Sequence, residues 1–487
     1  MKLTLPWHLV FAAVTGLALA AHPATAQPAL LTHAERNHRL GVTASAPVDL
    51  HVLDANADFA LLATNIGGAN VTLFLTPHSL RSPDFQLWTT RPDGTLQRVA
   101  PPPPHTVRGT VLEWDGNIVV GSLVGGQFTG RVRTVNGADW FIQPLSSIAP
   151  GAPRTAHVMI APADILATGA ICGVPDVQPL ADPVHEANSV APDPEGPQHL
   201  LGNTFATEIA FDADFDFFQE NGSSVAATMD DIESVMVLVD DIYRSQAAIS
   251  YIVNRIVVRT SEPDPYTVFN HEGLLNQFRS EWENNQPGER DIAHLMTGKD
   301  IDGPDGGVVG FAFIAEVCNR DGIINDGAYG FSQSRFSPDM AHRAALTAHE
   351  LGHNWDASHC ASIVNDECPQ SFPPSYGIMC ACLGGCNGSL TLFGQPSINE
   401  VVDHRDSRGC LGTNPAVTFV DDSFVGSETG SLTAPYNTMR EGVWASDPNG
   451  RVVFFGGTYD ADRTLRILNR PLRLEAQPGA GLVRILP

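Results

Sequence analysis

The stretch HELGHNWDASH, residues 349–359, decides the fold of this chain and most of its chemistry. His349 and His353 are four residues apart, so on a helix their imidazoles lie on one face, one turn apart, and can bind one metal ion. Glu350 lies next to the first of them, where a carboxylate can reach a water on the metal without being a ligand. His359 adds a third imidazole and leaves a fourth coordination position open. The spacing predicts a metal-binding helix with a catalytic carboxylate.

The same residues leave two alternatives open. Histidines on a helix can be packed or solvent-facing without binding anything, but a third histidine at this spacing, together with a glutamate, makes a chance arrangement rare. Three neutral imidazoles and a water suit Zn²⁺, although the spacing alone also admits other divalent metals. We therefore predict Zn²⁺ as the cofactor.

A second segment, Tyr376-Gly377-Ile378-Met379, follows His359, and with the three-histidine motif it makes the chain resemble the metzincin zinc metalloproteases. The resemblance implies that Met379 forms an apolar floor under the metal and is not a ligand. Taken alone, the residue is an ordinary buried methionine. The family pattern has glycine three residues after the second histidine, where this chain has Asp356. Aspartate tolerates a left-handed backbone better than most residues, so the sharp turn remains feasible.

Within the metzincins, the chain is most similar to the adamalysin (reprolysin, ADAM-like) group. The segment GFAFIAEVC, residues 310–318, resembles the substrate-binding edge strand of that group, in which the positions that would pair with a peptide are Gly310, Phe311, Ala312 and Phe313. An exposed sheet edge binds an extended peptide through main-chain hydrogen bonds. The segment 409–411 resembles the end of that catalytic domain, and the resemblance implies a Cys318–Cys410 disulfide.

The same resemblance implies a second metal. Glu208, Asp291 and the carbonyl of Cys410 match positions that hold Ca²⁺ in some relatives. The alternative is that these acids are simply solvated, because isolated acids are usually exposed and the chain carries a net charge of −26.

The segment Cys172-Gly173-Val174-Pro175-Asp176 resembles the cysteine switch of matrixin propeptides, and its Cys-Gly-Val core also occurs in ADAM propeptides. A thiolate is a strong zinc ligand and would occupy the position that the catalytic water needs. The segment 107–145 looks like the reprolysin propeptide. The resemblance therefore implies a latent form in which Cys172 is a zinc ligand.

Composition narrows the function classes. The chain has 28 Lys and Arg against 54 Asp and Glu, and this excess of acid repels nucleic acid and anionic lipid, so neither is a predicted partner. Residues 1–26 have a basic start, an apolar stretch and an Ala-Thr-Ala cleavage site, which predict a signal peptide. An N-terminal membrane anchor is the alternative. Eight cysteines fit an oxidising, secreted location, and no later stretch is apolar enough to span a membrane.

We predict five regions: a signal peptide (1–26), a β-rich inhibitory propeptide (27–176), a linker (177–198), an α/β (α+β) metzincin domain with a twisted mixed sheet (199–413) and a small C-terminal β module (414–487). Proline and acidic residues with few large apolar ones predict the linker. No Lys or Arg lies between Arg154 and Arg244. The C-terminal module resembles one or two coils of a right-handed parallel β-helix, or is a plain β appendage.

Periodicity predicts the main elements of the chain. Strands are expected within 71–75, 118–120, 140–142, 208–217, 249–258, 291–296 and 310–318, and helices over 224–243, across 274–282 and from Ser337-Pro338 onwards.

These observations predict a secreted zinc endopeptidase made as a zymogen, with protein or peptide substrates and with Glu350 as general base. One alternative is a secreted adhesion or binding protein on an impaired protease scaffold. Polysaccharide cleavage by the C-terminal module is less favoured, because the module is short and shows no paired carboxylates. The sequence leaves the oligomeric state open.

Overall fold

The structure of the chain is a computed structural model. It describes residues 31–56, 59–91, 93–114, 117–134, 137–175, 204–286, 288, 290–303, 307–318, 327–359, 377–381, 389–414, 417–426, 435–445, 451–460, 473–477 and 481–486. The predicted signal peptide and linker, and Tyr376 of the predicted Met-turn, lie outside these residues.

The described residues form α-helices and strands in a mixed α+β fold, as predicted. The helices are α1 (His33–Leu40), α2 (Phe215–Glu220), α3 (Val225–Ala247), α4 (His271–Asn285), α5 (Met340–Asn354), α6 (Gln395–Asp406) and α7 (Met439–Ala445). Among these described residues, no helix combines the length and the apolarity needed to cross a membrane.

The strands fall into three regions of the chain. The first region contains β1 (Ala46–Asp49), β2 (His51–Ala55), β3 (Ala60–Ile66), β4 (Ala69–Pro77), β5 (Arg81–Thr90), β6 (Leu96–Val99), β7 (Thr106–Val111), β8 (Asn117–Val124), β9 (Gln127–Thr134), β10 (Asp139–Pro144), β11 (Ala156–Ile160) and β12 (Ile171–Cys172). The second contains β13 (Thr204–Ala213), β14 (Ile249–Val258), β15 (Ile292–Met296), β16 (Val308–Ala312), β17 (Ala328–Ser332) and β18 (Gly412–Asn414). The third contains β19 (Val417–Val420), β20 (Arg451–Phe454), β21 (Gly457–Asp460), β22 (Arg473–Ala476) and β23 (Val483–Leu486).

Residues 31–175, the N-terminal unit, are built on an antiparallel sheet of order β1-β11-β10-β9-β8-β7-β4-β3-β2. Its two edge strands, β1 and β2, are separated in the chain by Leu50 alone, so the sheet must curl until its edges approach each other. Side chains alternate between inside and outside, as in β3, where every second residue is buried. The interior is apolar and includes Leu62, Leu73, Val119 and Phe128.

Residues 204–414, the central unit, are built on a mixed sheet of order β12-β16-β17-β15-β13-β14-β5-β6. β13, β14, β15 and β17 are parallel to one another, and β16 is antiparallel to β17. Helices α3 and α5 pack on one face and α4 on the other. A parallel sheet covered on both faces needs apolar residues on both sides, and the sequence ISYIVNRIVV of β14 meets this need. Three strands of the central sheet, β5, β6 and β12, come from the N-terminal unit.

The predicted helix over 224–243 is confirmed as α3. Ser224 caps it by accepting a hydrogen bond from the amide of Ala227, and Ala248 ends it in the left-handed conformation. The strand at 249–258 is also confirmed, and the helix across 274–282 is α4. Each of these elements follows a regular local sequence pattern, and the two helices have clear caps. The sequence therefore predicts them well.

Three predicted boundaries are wrong. α5 does not start at Ser337, because Asp339 is its N-cap and Ser337 accepts a hydrogen bond from the amide of Asp339. β13 ends at Ala213, since Asp214 caps α2 and turns 215–217 into helix. The strand predicted over 310–318 ends at Ala312. Beyond it, Ala315 and Cys318 have φ of 63°, a left-handed backbone outside the β region.

The C-terminal module, residues 417–486, contains two small sheets, and both are parallel. β19, β20 and β22 pair in that order, and β21 pairs with β23. The chain therefore passes twice from the first sheet to the second, from β20 to β21 and from β22 to β23. This is the strand pairing of stacked coils, which was one of the two predicted arrangements for this module.

Candidate metal centre

Helix α5 places His349, Glu350 and His353 in the interior of the central unit, where all three are fully buried. The Nε2 atoms of His349 and His353 are 3.1 Å apart. The Nε2 atom of His359 lies 3.2 Å from each of them. The three histidines of the motif thus converge on one point.

Backbone carbonyls fix the tautomers of the first two histidines. His349 Nδ1 lies 2.8 Å from the carbonyl oxygen of Ile378, and His353 Nδ1 lies 2.8 Å from that of Ala357. A carbonyl only accepts, so each Nδ1 must carry its hydrogen and each Nε2 presents a lone pair to the centre. Lone pairs this close repel one another unless a cation lies between them. The donor set therefore fits a bound metal ion.

Burial keeps these imidazoles neutral, which is the form that binds metals. Burial, with a smaller contribution from the charge of His359, lowers the pKa of His349 to about 3. Burial also holds the pKa of His353 well below its ordinary value, and His349 and His359 add to the effect.

Cys172 supplies a fourth candidate ligand. Its Sγ lies 3.5 Å from His353 Nε2, and one ligand atom each from Cys172, His349, His353 and His359 lie within 4.8 Å of one another. Three imidazoles and one thiolate are a donor set that suits tetrahedral Zn²⁺. The structure therefore brings the predicted switch cysteine to the predicted zinc ligands across a long sequence separation.

Residues 167–175, the Cys172 arm, lie along the edge of the central sheet. β12 pairs in parallel with β16, and Cys172 lies opposite Gly310. The amide of Gly173 donates to the carbonyl of Gly310 at 2.9 Å, and the amide of Cys172 donates to that of Ala381, also at 2.9 Å. The arm thus occupies the edge strand that resembles a substrate-binding strand.

Glu350 lies between the metal ligands and this edge. Its Oε2 is 3.6 Å from Cys172 Sγ, and its buried Oε1 has no hydrogen-bond partner among the described residues. Burial raises the pKa of Glu350 well above its ordinary value. A β-carbon at Gly310 would lie 2.2 Å from Glu350 Oε1, so only glycine leaves room for this carboxylate. The orphaned oxygen is the kind of group that a metal-bound reactant would satisfy.

The turn after α5 has the conformation that the sequence predicts. Asp356 has φ of 76°, which is the left-handed region. Its amide donates to the carbonyl of His353, and the amide of Ser358 donates to Glu400 Oε2 at 2.9 Å. This turn returns the chain so that His359 reaches the other two histidines.

Met379 is fully buried and lies against Gly352 of α5, the residue before His353. Its Sδ is 2.5 Å from the position that a β-carbon at Gly352 would take, so the glycine lets the methionine approach α5 closely. The carbonyl of the preceding residue, Ile378, holds His349. The floor role of Met379 is compatible with this position and stays a prediction.

The Cys318–Cys410 disulfide that the resemblance implies is present. The acids assigned to Ca²⁺ are only partly brought together. Asp291 Oδ2 accepts a hydrogen bond from the amide of Glu208 at 2.8 Å, whereas the carboxylate of Glu208 accepts from Asn254 Nδ2 at 3.1 Å. Asp291 Oδ1 lies 3.4 Å from Cys410 Sγ. Calcium binding here stays a prediction.

Sequence reasoning missed the carbonyls of Ile378 and Ala357, which orient the zinc ligands, and the approach of Gly310 to Glu350. No sequence signal marks a backbone carbonyl, because every residue has one. It also missed the acidic face of α3. The sequence does carry a signal for it, because three polar residues recur at helical spacing with one apolar residue among them: Asp230, Ser234, Val237 and Asp241.

Comparison with known proteins adds one informative match. Residues 203–387 match the family model Reprolysin_5, described as metallo-peptidase family M12. No curated protein sequence matches the chain. Among solved structures, the chain is similar to metalloproteinase-II from Bacteroides fragilis at 11% identity, over 69% of this chain and 89% of that chain, with a TM-score of 0.35, a likeness too small to carry an argument. The segment that holds the three histidines and Glu350 is therefore similar to a metallopeptidase family, which supports zinc-dependent peptidase chemistry.

Proposed function

We propose that the protein is a secreted zinc endopeptidase of the adamalysin-like metzincin type, made as a zymogen. The observation that carries the proposal is the convergence of three histidine Nε2 atoms with Cys172 Sγ beside the buried carboxylate of Glu350. Secretion rests on the sequence of residues 1–26. The family match over 203–387 supports the peptidase part.

His349, His353 and His359 would hold the zinc ion, which supplies Lewis-acid chemistry when bound: it polarises a peptide carbonyl and acidifies water. The backbone carbonyls of Ile378 and Ala357 keep two of these imidazoles in the ligating tautomer. Their burial excludes bulk water and strengthens the electrostatic interactions inside the site.

Glu350 acts as the general base and then as the general acid. Its carboxylate accepts a proton from the attacking water and returns it to the nitrogen of the leaving amine. Burial raises the pKa of this carboxyl above its ordinary value, which is the direction in which a general base is tuned. Gly310 leaves the space that this carboxylate occupies.

The substrate would take the place of β12. β16 carries Gly310, Phe311 and Ala312, and its outer edge bonds to the Cys172 arm through main-chain groups. A peptide in extended conformation can make bonds of the same kind. Phe313 follows the strand, and its amide donates to the carbonyl of Tyr329 within the sheet. The same edge thus explains both peptide binding and latency.

The test compares intact protein with protein cut between residues 177 and 198, each with and without chelator, on a mixed peptide library. We expect cleavage of peptides only by the cut form and its loss in chelator. Glu350→Gln should keep its zinc content and lose activity by a factor of about 10³ or more.

Cys172→Ala gives the complementary result. Without the thiolate, the intact chain should show partial activity, because the fourth coordination position is open to water. Zinc content measured for every variant serves as the control. A cut, folded, zinc-loaded protein that hydrolyses no peptide would contradict the proposal and favour a binding protein on a protease scaffold.

A further inference from the structure

We propose that the N-terminal unit is a permanent partner of the central unit: after a cut between residues 176 and 203 it stays bound as a second chain, and only the Cys172 arm leaves. The proposal rests on the proposed function only for the position of the cut. On the central unit, the interaction surface consists of the edge of β14 that β5 covers and the face of α3 that contacts the N-terminal unit. The partner is the fragment that contains the β5–β6 hairpin.

The first observation is that the hairpin completes the central sheet. β5 pairs in parallel with β14, with Gln86, Leu87, Trp88 and Thr89 opposite Arg255 to Val258, and β6 pairs with β5. Without β5, the ten-residue strand β14 would have an unpaired edge. Long, exposed, apolar edges drive aggregation, so the central unit needs this hairpin for its solubility as well as its fold.

The second observation is that the hairpin supplies core residues on both faces of this sheet. Phe85 and Leu87 are buried in the same cluster as the apolar residues of α3. Trp88 and Leu96 pack on the opposite face, against the cluster that includes Phe278 of α4. Loss of the hairpin would therefore expose apolar surface on both faces of the sheet at once.

The third observation is a set of buried ion pairs between the N-terminal unit and α3. Asp241, which is 1% exposed at its side chain, accepts two hydrogen bonds from Arg133, at 2.9 and 3.0 Å. Arg108 and Arg131 lie 3.5 and 3.6 Å from the same carboxylate. Three arginines from the N-terminal unit thus surround one aspartate of the central unit.

Further contacts extend this interface along the helix. Arg81 bonds to Glu233 through Nε at 2.5 Å and through Nη2 at 2.9 Å. His105 lies 2.7 Å from Asp230, and the hydroxyls of Ser122 and Ser234 are 2.6 Å apart. Removal of one partner from such buried pairs strongly weakens an association, because the other charge loses its compensation.

The Cys172 arm is held far less firmly. β12 has only two residues. The backbone amides of these two residues and of the residue after them donate to the carbonyls of Gly307, Ala381 and Gly310, in that order. The arm's other contacts are small: Ala170 packs in a cluster with Val309 and Leu346, Ile171 packs at the margin of a larger cluster, and Cys172 Sγ lies at the candidate metal centre. A cut in the segment after the arm frees one end of it and leaves the hairpin and the ion pairs untouched.

The experiment places a site for a sequence-specific protease in the 177–198 segment of the full chain and follows the two fragments by size-exclusion chromatography. We expect both fragments in one peak at 0.15 M salt at about micromolar concentration, and their separation only in denaturant. If the two fragments of the cut protein separate in native buffer, the proposal is overturned.

Two variants sharpen the result. Asp241→Asn should raise the dissociation constant of the cut fragments by about tenfold or more. Asp93→Asn, which removes the same charge from the exposed turn of the hairpin, should leave the constant unchanged. If Asp241→Asn fails to fold, Arg133→Gln tests the same pair from the other unit. If the dissociation constant for Asp241→Asn or Arg133→Gln equals that for Asp93→Asn, the ion pairs do not stabilise the interface.

The readout is association and not activity. Cut protein that hydrolyses no peptide but elutes as one complex would refute the proposed function and leave this inference standing. Active cut protein whose N-terminal fragment elutes alone would do the reverse.

Discussion

The two edges of the central sheet are both extended by strands of the N-terminal unit, and the two extensions differ in size. At one edge, β12 contributes two residues against β16, beside the candidate metal centre. At the other edge, the ten-residue strand β5 pairs with β14 at Val253 and from Arg255 to Val258, and it brings β6 with it. One contact is small and lies beside Cys172, and the other is longer and is held by a hydrophobic core.

This difference teaches that the predicted propeptide has two separable parts. A small edge contact can exchange with a peptide, since both make main-chain bonds of the same kind. A contact that fills the core on both faces of a sheet cannot be exchanged without unfolding part of the unit. The contact proposed for latency and the contact proposed for structural support therefore lie at opposite edges of one sheet.

The largest expected effect is at the β14 edge. Leu87→Asp places a carboxylate in a core where Leu87 is 1% exposed, and it should reduce the free energy of unfolding by about 4 kcal/mol or more. Urea unfolding and soluble yield measure this. Leu53→Asp, the same change at a side chain that is 60% exposed on β2, is the control. Equal stability of the two variants would show that the hairpin is not part of the core.

The next effect is at the β16 edge. Gly310→Ala puts a methyl group 2.2 Å from Glu350 Oε1, so the carboxylate must shift, and kcat/KM should fall by about 10²-fold. Zinc content should stay at the wild-type level, because no ligand changes. Gly409→Ala, where a β-carbon meets nothing within 4 Å, is the matched control and should be fully active. A Gly310→Ala protein with wild-type kcat/KM would show that this close approach has no catalytic role.

A moderate effect is expected from pH on the association of the cut fragments. The three arginines hold the pKa of Asp241 at about 2, below its usual 3.8, although burial alone would raise it. A depressed carboxyl pKa stabilises the complex above about pH 4, and this stabilisation is lost as the pH falls through 2. The loss is about 2 kcal/mol for this group. Arg108, whose pKa burial lowers to about 10, remains charged throughout this range.

Chromatography of the cut protein between about pH 5 and pH 2.5 measures this effect, because at pH 5 the stabilisation is complete and at pH 2.5 more than half of it is lost. Asp241→Asn removes the titrating carboxyl group and should weaken the pH dependence of the association. Glu233 contributes with the opposite sign, because burial raises its pKa despite the bonds from Arg81. A profile that is as steep in Asp241→Asn as in wild type would assign the acid sensitivity to other groups.

The smallest effect concerns the turn that brings His359 to the site. Asp356 has a left-handed φ of 76°, and Asp356→Gly removes the steric cost of a side chain there. We expect a gain of about 0.5–1 kcal/mol in the free energy of unfolding, with zinc affinity unchanged. Thermal unfolding with and without chelator measures both. Weaker zinc binding in this variant would mean that the aspartate side chain itself positions His359.

Local patterns account for what could be predicted. The helices α3 and α4 and the strand β14 are found where periodicity places them, because each segment is regular over many residues. The predictions failed at element ends. The sequence 310–318 is mostly apolar, yet β16 stops at Ala312, since the amides of residues 315–317 bond to the carbonyls of His353 and Asn354 at the end of α5. The predicted start of α5 was also wrong, because two residues there can act as an N-cap, and the structure uses Asp339 and not Ser337.

The sequence by itself determined which residues are candidate metal ligands, because His349 and His353 lie four residues apart on one helix and His359 follows six residues later. It also predicted Cys172 as the residue that blocks that site. Only the tertiary structure decided that β5 and β6 belong to the central sheet, that backbone carbonyls set the tautomers of His349 and His353, and that α3 receives arginines on its acidic face. Those features join segments that are distant in the chain, or depend on backbone groups that all residues share, so no local pattern encodes them.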